Sequence, residues 1–167
     1  MNKLKPLEIR NIKISVILKE DIKMELPLIS KEQNFVITIY PNSRRLINIT
    51  KLKSVKDIYT ISKLIVERFN VKIDKVRIDS IFLGRKIIGR KFSTEKMIQS
   101  CKNHGNGIFK LNFDVELFHA PFIRSKFGSF NMFGSGSVTC MGVRSVNDIK
   151  QIESFLSIVY CKENEIK

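Results

Sequence analysis

The residues able to do chemistry in this chain alternate with aliphatic ones along short segments. Asn11 and Lys13 alternate with Ile12 and Ile14, Thr38 and Tyr40 with Ile37 and Ile39, and Asn48 and Thr50 with Ile47 and Ile49. Farther on, Lys75 and Arg77 alternate with Val76 and Ile78, Asn131 and Phe133 flank Met132, and Thr139 and Met141 flank Cys140. Successive side chains of a strand point to opposite faces. Each segment therefore buries its aliphatic set and turns amides, hydroxyls, cations and a few large apolar groups outward. Such a face suits an anionic, acceptor-rich surface, and its rings suit stacking or insertion. A merely solvated sheet face accounts for the polar residues but not for Tyr40 and Phe133 in water.

Charge points the same way. The chain has 167 residues, with 30 Lys and Arg against 16 Asp and Glu, a net +14. Residues 1–84 hold 17 basic against 9 acidic groups and residues 85–167 hold 13 against 7, so the excess is no tail. A field of this sign attracts polyanions, because each phosphate neutralised releases condensed counterions. A lysine-rich surface inherited from an AT-rich genome is the bland alternative. At 43% hydrophobic the chain can bury one core or a core shared by similar halves.

Strands carrying these residues precede a helix, twice. Leu7–Leu18 alternates as a half-buried antiparallel strand, with Ile12, Ile14, Val16 and Leu18 inward. Weaker signals give strands near Ile22–Ile29, Phe35–Tyr40 and Arg45–Leu52. Ser54 and Asp57 then start a helix whose apolar stripe is Val55, Ile58, Ile61, Leu64, Ile65 and Phe69. The second pass begins with Val71–Phe82, where Val76 and Ile78 are expected inward. It adds a short helix after Ser93, a Gly105-Asn106-Gly107 break and a strand over Ile108–Phe118. Phe127–Phe133 pairs with Ser137–Met141 through Gly134-Ser135-Gly136, and Ser145 caps a closing helix.

The two passes repeat each other. Lys53-Ser54-Val55-Lys56-Asp57-Ile58 matches Arg144-Ser145-Val146-Asn147-Asp148-Ile149 at the same strand-to-helix junction. This predicts an internal duplication: residues 1–70 as a reduced unit of four strands and a helix, and 71–167 as a second unit with an extra short helix and longer loops. Asn70 is the only hinge, so the strands are expected to join one sheet with the helices on one side.

These residues resemble the TATA-box-binding proteins, built from two imperfect repeats. Phe133-Gly134-Ser135-Gly136-Ser137-Val138-Thr139-Cys140-Met141-Gly142-Val143-Arg144 is similar to the family signature of the second repeat, with Met141 in place of a threonine. Ile39-Tyr40 and Ile49-Thr50-Lys51-Leu52-Lys53 are similar to the first, with a longer turn and the glycines lost. Ile9-Arg10-Asn11-Ile12 resembles the opening strand, where the family places a base-contacting asparagine. The resemblance covers about half the chain and is thin over 19–36 and 85–126.

The resemblance implies an α+β saddle: two pseudo-symmetric repeats forming one curved antiparallel sheet with helices on the convex face. It implies a DNA-binding transcription initiation factor that binds and bends A/T-rich promoter DNA through the minor groove, a mode of which this family is a standard example. The implied DNA-binding residues are Asn11, Lys13, Thr38, Tyr40, Asn48, Thr50, Lys75, Arg77, Phe118, Arg124, Asn131, Phe133, Thr139 and Met141. Tyr40 and Phe133 hold the wedge positions, Phe118 is the partner wedge of Phe133, and Arg124 is a phosphate contact. The family's second asparagine is replaced by Lys75, and small apolar residues by Lys13 and Arg77, which favours phosphates and a narrow A·T groove over a fixed base pattern. Implied partners are double-stranded A/T-rich promoter DNA, general transcription factors of the IIB type and RNA polymerase. The implied location is the nucleus, or a cytoplasmic viral factory or virion for a virus-encoded protein.

Other classes find little support. His104 and His119 are the only histidines, and no paired carboxylates, phosphate loop ending in Lys or nucleophile motif occurs, so an enzyme, a metal site and a cofactor are not expected. Cys101, Cys140 and Cys161 show no ligand spacing and predict reduced thiols. No apolar run reaches the roughly 18 residues that span a bilayer. The opening MNKLKPLEIRNIK lacks the apolar stretch of a signal peptide. Two alternatives stay open: a scaffold of the same fold that binds proteins and little DNA, and an RNA-binding α/β module that uses Tyr40 and Phe133 as stacking platforms. Oligomeric state is open as well.

Overall fold

The computed structural model describes residues 4–23, 25, 29–87, 89–105, 107–112 and 120–166. The elements are β1 (Glu8–Leu18), β2 (Ile29–Glu32), β3 (Phe35–Ile39), β4 (Leu46–Leu52), α1 (Val55–Phe69), β5 (Ile73–Arg85), α2 (Thr94–His104), β6 (Phe109–Asn112), β7 (Phe122–Ser125), β8 (Gly128–Met132), β9 (Val138–Val143) and α3 (Val146–Val159), followed by a 3-10 turn at Lys162–Asn164. They form two compact units, Ile9–Ile81 and a second one from Phe82 onward that takes in the segment up to Glu8. The division passes through β5, whereas the sequence repeat changes at Asn70. Asn70 ends α1 in the left-handed conformation at φ 48, but β5 begins by hydrogen-bonding to β1 and so starts in the first unit.

In Ile9–Ile81 the strand order is β2-β3-β4-β1-β5, and β2–β3, β3–β4 and β1–β4 pair antiparallel. The expected alternation of β1 holds: Ile12, Ile14, Val16 and Leu18 are buried, while Lys13 is exposed. Ile37, Ile39, Ile47, Ile49 and Leu52 join them, and α1 adds Ile61, Ile65 and Phe69. Each fully buried aliphatic side chain contributes about 1.5–3 kcal/mol. Ser54 caps α1 as anticipated, with the Asp57 N–H donating to Ser54 Oγ at 3.3 Å and the Ser54 N–H to Asp57 Oδ2 at 3.0 Å. Ile22 is buried without being in a strand. Its N–H donates to the Arg44 carbonyl at 3.3 Å and its own carbonyl accepts from Arg44 Nη1 at 3.1 Å, so it is a loop plug. Of the strand expected near Ile22–Ile29, residues 24 and 26–28 lie outside the described residues, and β2 is described from Ile29.

From Phe82 onward the order is β5-β9-β8-β7-β6, so the series β5-β9-β8-β7 matches β1-β4-β3-β2 and β6 is additional. α2 is the expected extra helix, capped by Ser93 and burying Met97 and Cys101. α3 starts at Ser145, whose Oγ accepts from the Asp148 N–H at 3.2 Å. Ser145 (φ −143, ψ 156) and Ser54 (φ −149, ψ 163) are therefore caps of the same kind at matching points. Ile152, Phe155, Leu156 and Val159 face inward, with Phe155 stacked on Phe109 at 4.0 Å. The strand expected over Ile108–Phe118 is described as Phe109–Asn112, and residues 113–119 lie outside the described residues. β7 was not anticipated.

β5 departs from its expected pattern. Residues 74–77 are all exposed, Val76 included, and full burial begins only at Ile81 and Leu83. The physical cause is a slip in alternation. Asp79 bonds to Ser15 on the uncovered side, yet Ile81, two residues on, is wholly buried. The buried-exposed-buried-buried-buried run of Ile81–Arg85 repeats that of Ile12–Val16.

Candidate nucleic-acid interface

In Ile9–Ile81 the uncovered face is built outward from β1. Asn11 is half-buried, and its Oδ1 accepts the Lys51 N–H at 2.7 Å. That bond occupies the carbonyl end of the amide and leaves its NH2 group as the outward donor. Lys51 can bond there because the β1–β4 ladder carries a bulge: Ile12 pairs with Leu52 but Ile14 with Ile49, and Lys51 turns to φ 69. Lys53 Nζ donates to the Arg10 carbonyl, tying the same strand ends. Asn48 and Thr50 are half-buried neighbours on β4, and Thr38 stands directly opposite Asn48 on β3. Tyr40, at the end of β3, is 50% exposed.

Two side chains enlarge this face. Ser15 Oγ lies 2.5 Å from Asp79 Oδ2 and 3.0 Å from Asn48 Oδ1, and Arg77 Nε donates to Asp79 Oδ1 at 2.9 Å. Arg77 is thus committed to a carboxylate, while Lys13 and Lys75 are exposed.

The second unit repeats the arrangement. Asn131 on β8 stands opposite Thr139 on β9, as Thr38 stands opposite Asn48, with amide and hydroxyl exchanged between the strands. Met141, 42% exposed, pairs with Ser129, and Gly142 takes φ 76 where Lys51 takes φ 69. Phe133 follows β8 as Tyr40 follows β3 and is 38% exposed. Arg124 is exposed on β7, opposite Lys110, with its guanidinium 5.5 Å from the Phe122 ring centre. Phe118 lies outside the described residues.

By the repeated burial run, the position matching Asn11 is Ser80 and that matching Lys13 is Phe82, which is 36% exposed. The sequence comparison that set Lys75 and Arg77 at these positions is five residues off. Alternation places Ser15 and Asp79 on this face, but as plain polar positions and not as contacts, and Phe82 is the face residue that sequence reasoning passed over. For Phe82 the available signal was the Ile81-Phe82-Leu83 alternation itself.

The turn after Phe133 is clamped. The Tyr160 hydroxyl lies 2.9 Å from the Phe133 carbonyl and 3.2 Å from that of Ser137. The Phe92 N–H donates to the Gly134 carbonyl at 2.6 Å and Arg85 Nε to the Gly136 carbonyl at 3.3 Å. Arg85 lies over the Tyr160 ring at 5.0 Å, and Phe92 meets that ring edge-on at 5.0 Å. Burial pushes the Tyr160 hydroxyl pKa up, with Arg85 opposing, and burial lowers that of Arg85. The hydroxyl stays a donor. Burial also raises the Cys101 and Cys140 thiols to about 12, so neither supplies a thiolate at neutral pH.

No protein-family model matches the sequence, and no curated protein matches it either. Among solved structures, the Methanococcus jannaschii TBP, a TATA-box-binding protein, aligns with TM-score 0.68 and 17% identity over 96% of this chain and 99% of that one. At that identity the likeness establishes the fold: the chain has the α+β, TATA-box-binding-protein-like fold that its repeats imply. An aspartate kinase of Clostridium acetobutylicum aligns at TM-score 0.29 and 9% identity over 95% of this chain and 36% of that one, a likeness too weak to bear on chemistry.

Proposed function

We propose that this protein is a DNA-binding transcription initiation factor resembling TATA-box-binding protein, which binds A/T-rich promoter DNA in the minor groove and bends it. The observation that carries the reading is the same constellation in both units: an amide–hydroxyl pair across two strands, followed by an exposed aromatic ring at the strand end, Tyr40 in one and Phe133 in the other. The minor groove of A·T pairs offers acceptors alone, which suits donors such as Asn11, Thr50 and Thr139, and apolar rings can enter and unstack base steps. The net charge of +14 supplies the phosphate attraction. The fold supports the reading by analogy. The role is recognition without catalysis, with factors of the IIB type and RNA polymerase as partners, in a nucleus or a viral factory. Among the described residues no helix is long and apolar enough to cross a membrane.

Competition binding among A·T-rich duplex, G·C-rich duplex and single-stranded RNA at two salt concentrations tests this. The reading predicts preference for A·T duplex and affinity that falls steeply with salt, with Lys75→Ala reducing the salt slope by about one. Preference for RNA would favour the single-strand module. Weak binding to all three with a flat salt response would favour the protein scaffold.

A further inference from the structure

We propose that Asp79 reads the exocyclic amino group of a guanine in the minor groove, so that the protein selects a G·C pair at one position inside an otherwise A·T-rich site. The inference rests on the minor-groove reading above and gives it a specificity that donors alone cannot. Asp79 sets a carboxylate among the donors of the Ile9–Ile81 face, where a carboxylate is at first sight misplaced. A bare one would repel phosphates. This one is held by two donors, the Ser15 hydroxyl at 2.5 Å on Oδ2 and Arg77 Nε at 2.9 Å on Oδ1. Arg77 offsets its charge, and Ser15, only 2% exposed and next to Asn48, fixes its position.

The side chain of Asp79 remains 20% exposed. A carboxylate offers about four lone-pair directions, and these two bonds use two of them. What the face presents at this point is therefore an acceptor, on the same face as the donors Asn11, Thr38 and Thr50. Adenine N3 and thymine O2 are acceptors too, so an A·T pair against Asp79 sets acceptor against acceptor and leaves both unpaired. The guanine N2 amino group is the only donor a base pair shows in the minor groove. Asp79 thus favours G·C where its neighbours favour A·T, and Arg77 is a positioning residue for it.

The test uses the full chain and A·T-rich duplexes in which a single G·C pair is stepped through the site. In a parallel set the guanine is replaced by inosine, which lacks the N2 amino group and otherwise keeps the pair. Fluorescence anisotropy should show one position where the guanine duplex binds about fivefold more tightly than its inosine twin, the size of a good base contact. Asp79→Ala should erase that difference and should tighten binding to all-A·T duplex, because it removes an acceptor set against acceptors and frees the Arg77 charge. Should that variant melt early, Asp79→Asn, which keeps the shape, should diminish the difference. Equal binding of guanine and inosine duplexes at every position by the unmodified protein would overturn the proposal, as would a preference that survives in folded Asp79→Ala. Failure to bind any duplex would instead overturn the minor-groove reading, and this inference with it.

Discussion

The turn after Tyr40 and the turn after Phe133 occupy the same place in two matching strand patterns, yet the outside grip falls on different parts of them. The Phe133 turn is gripped from outside, by Tyr160, Phe92 and Arg85 acting on four of its carbonyls. The Tyr40 turn closes on itself, as the Phe133 turn does through the Gly136 N–H to the Phe133 carbonyl at 2.8 Å. Its outside grip, however, falls beyond the turn tip, where the Arg44 carbonyl accepts the Ile22 N–H at 3.3 Å and the Arg45 carbonyl the Leu18 N–H at 2.9 Å. The Ser43 N–H returns to the Tyr40 carbonyl at 3.0 Å, and Arg44 and Arg45 reach the carbonyls of Ile22 and Lys19. An exposed ring keeps a productive direction only if its backbone is fixed. The comparison therefore assigns Phe133 the stiffer ring and Tyr40 the more adaptable one. The left-handed positions differ in a parallel manner: Gly142 takes this conformation without cost, whereas Lys51 takes nearly the same one as a residue with a side chain, balanced by its N–H bond to Asn11.

The largest effect should come from breaking the external grip. Tyr160→Phe keeps the ring against Phe92 and Arg85 but strips the hydroxyl from two carbonyls, and should lower unfolding stability by about 1–2 kcal/mol in denaturant titration. It should also weaken duplex binding, since the Phe133 turn loosens. An unchanged midpoint and affinity would remove the distinction between the turns. Next comes Gly142→Ala. No atom lies within 4 Å of the added Cβ, so only the left-handed backbone resists, at a cost of about 1 kcal/mol. Smallest is Lys51→Gly, which relieves the same strain and should raise stability by roughly 0.5 kcal/mol. A loss there would mean that the Lys51 side chain contributes more than its backbone costs.

Much of this architecture was legible in the sequence because it is local. Ser54 with Asp57 and Ser145 with Asp148 announce their helix starts, and the alternation of Ile12, Ile14 and Val16 gives the inward face of β1 without any knowledge of its neighbours. The facing of Thr38, Tyr40, Asn48, Thr50, Asn131, Phe133, Thr139 and Met141 followed from the same period of two. What was not legible depends on partners. Ile22 reads as strand but is a loop plug, because Arg44, far along the chain, satisfies its backbone. Asp79 reads as a polar strand residue and Arg77 as a free DNA contact until Ser15 of β1 and the Arg77–Asp79 pair are seen together. The slip between Asp79 and Ile81 leaves no mark in residue types, and it shifted the second repeat by five positions, hiding Ser80 and Phe82 behind Lys75 and Arg77. The grip of Tyr160 on the Phe133 carbonyl spans 27 residues and likewise has no local signature.

The most direct measurement is the bend of an A·T-rich duplex carrying end labels, read by fluorescence energy transfer on titration with the protein, with Phe133→Ala and Tyr40→Ala compared at saturation. The account predicts a rise in transfer with the unmodified protein, a clear reduction with Phe133→Ala and a smaller one with Tyr40→Ala. Both variants should melt close to the unmodified protein, because each ring is already substantially exposed. Saturable binding with no change in transfer would contradict it. So would a Phe133→Ala variant that loses the roughly 3–5 kcal/mol of a core phenylalanine while its folded fraction bends DNA as before.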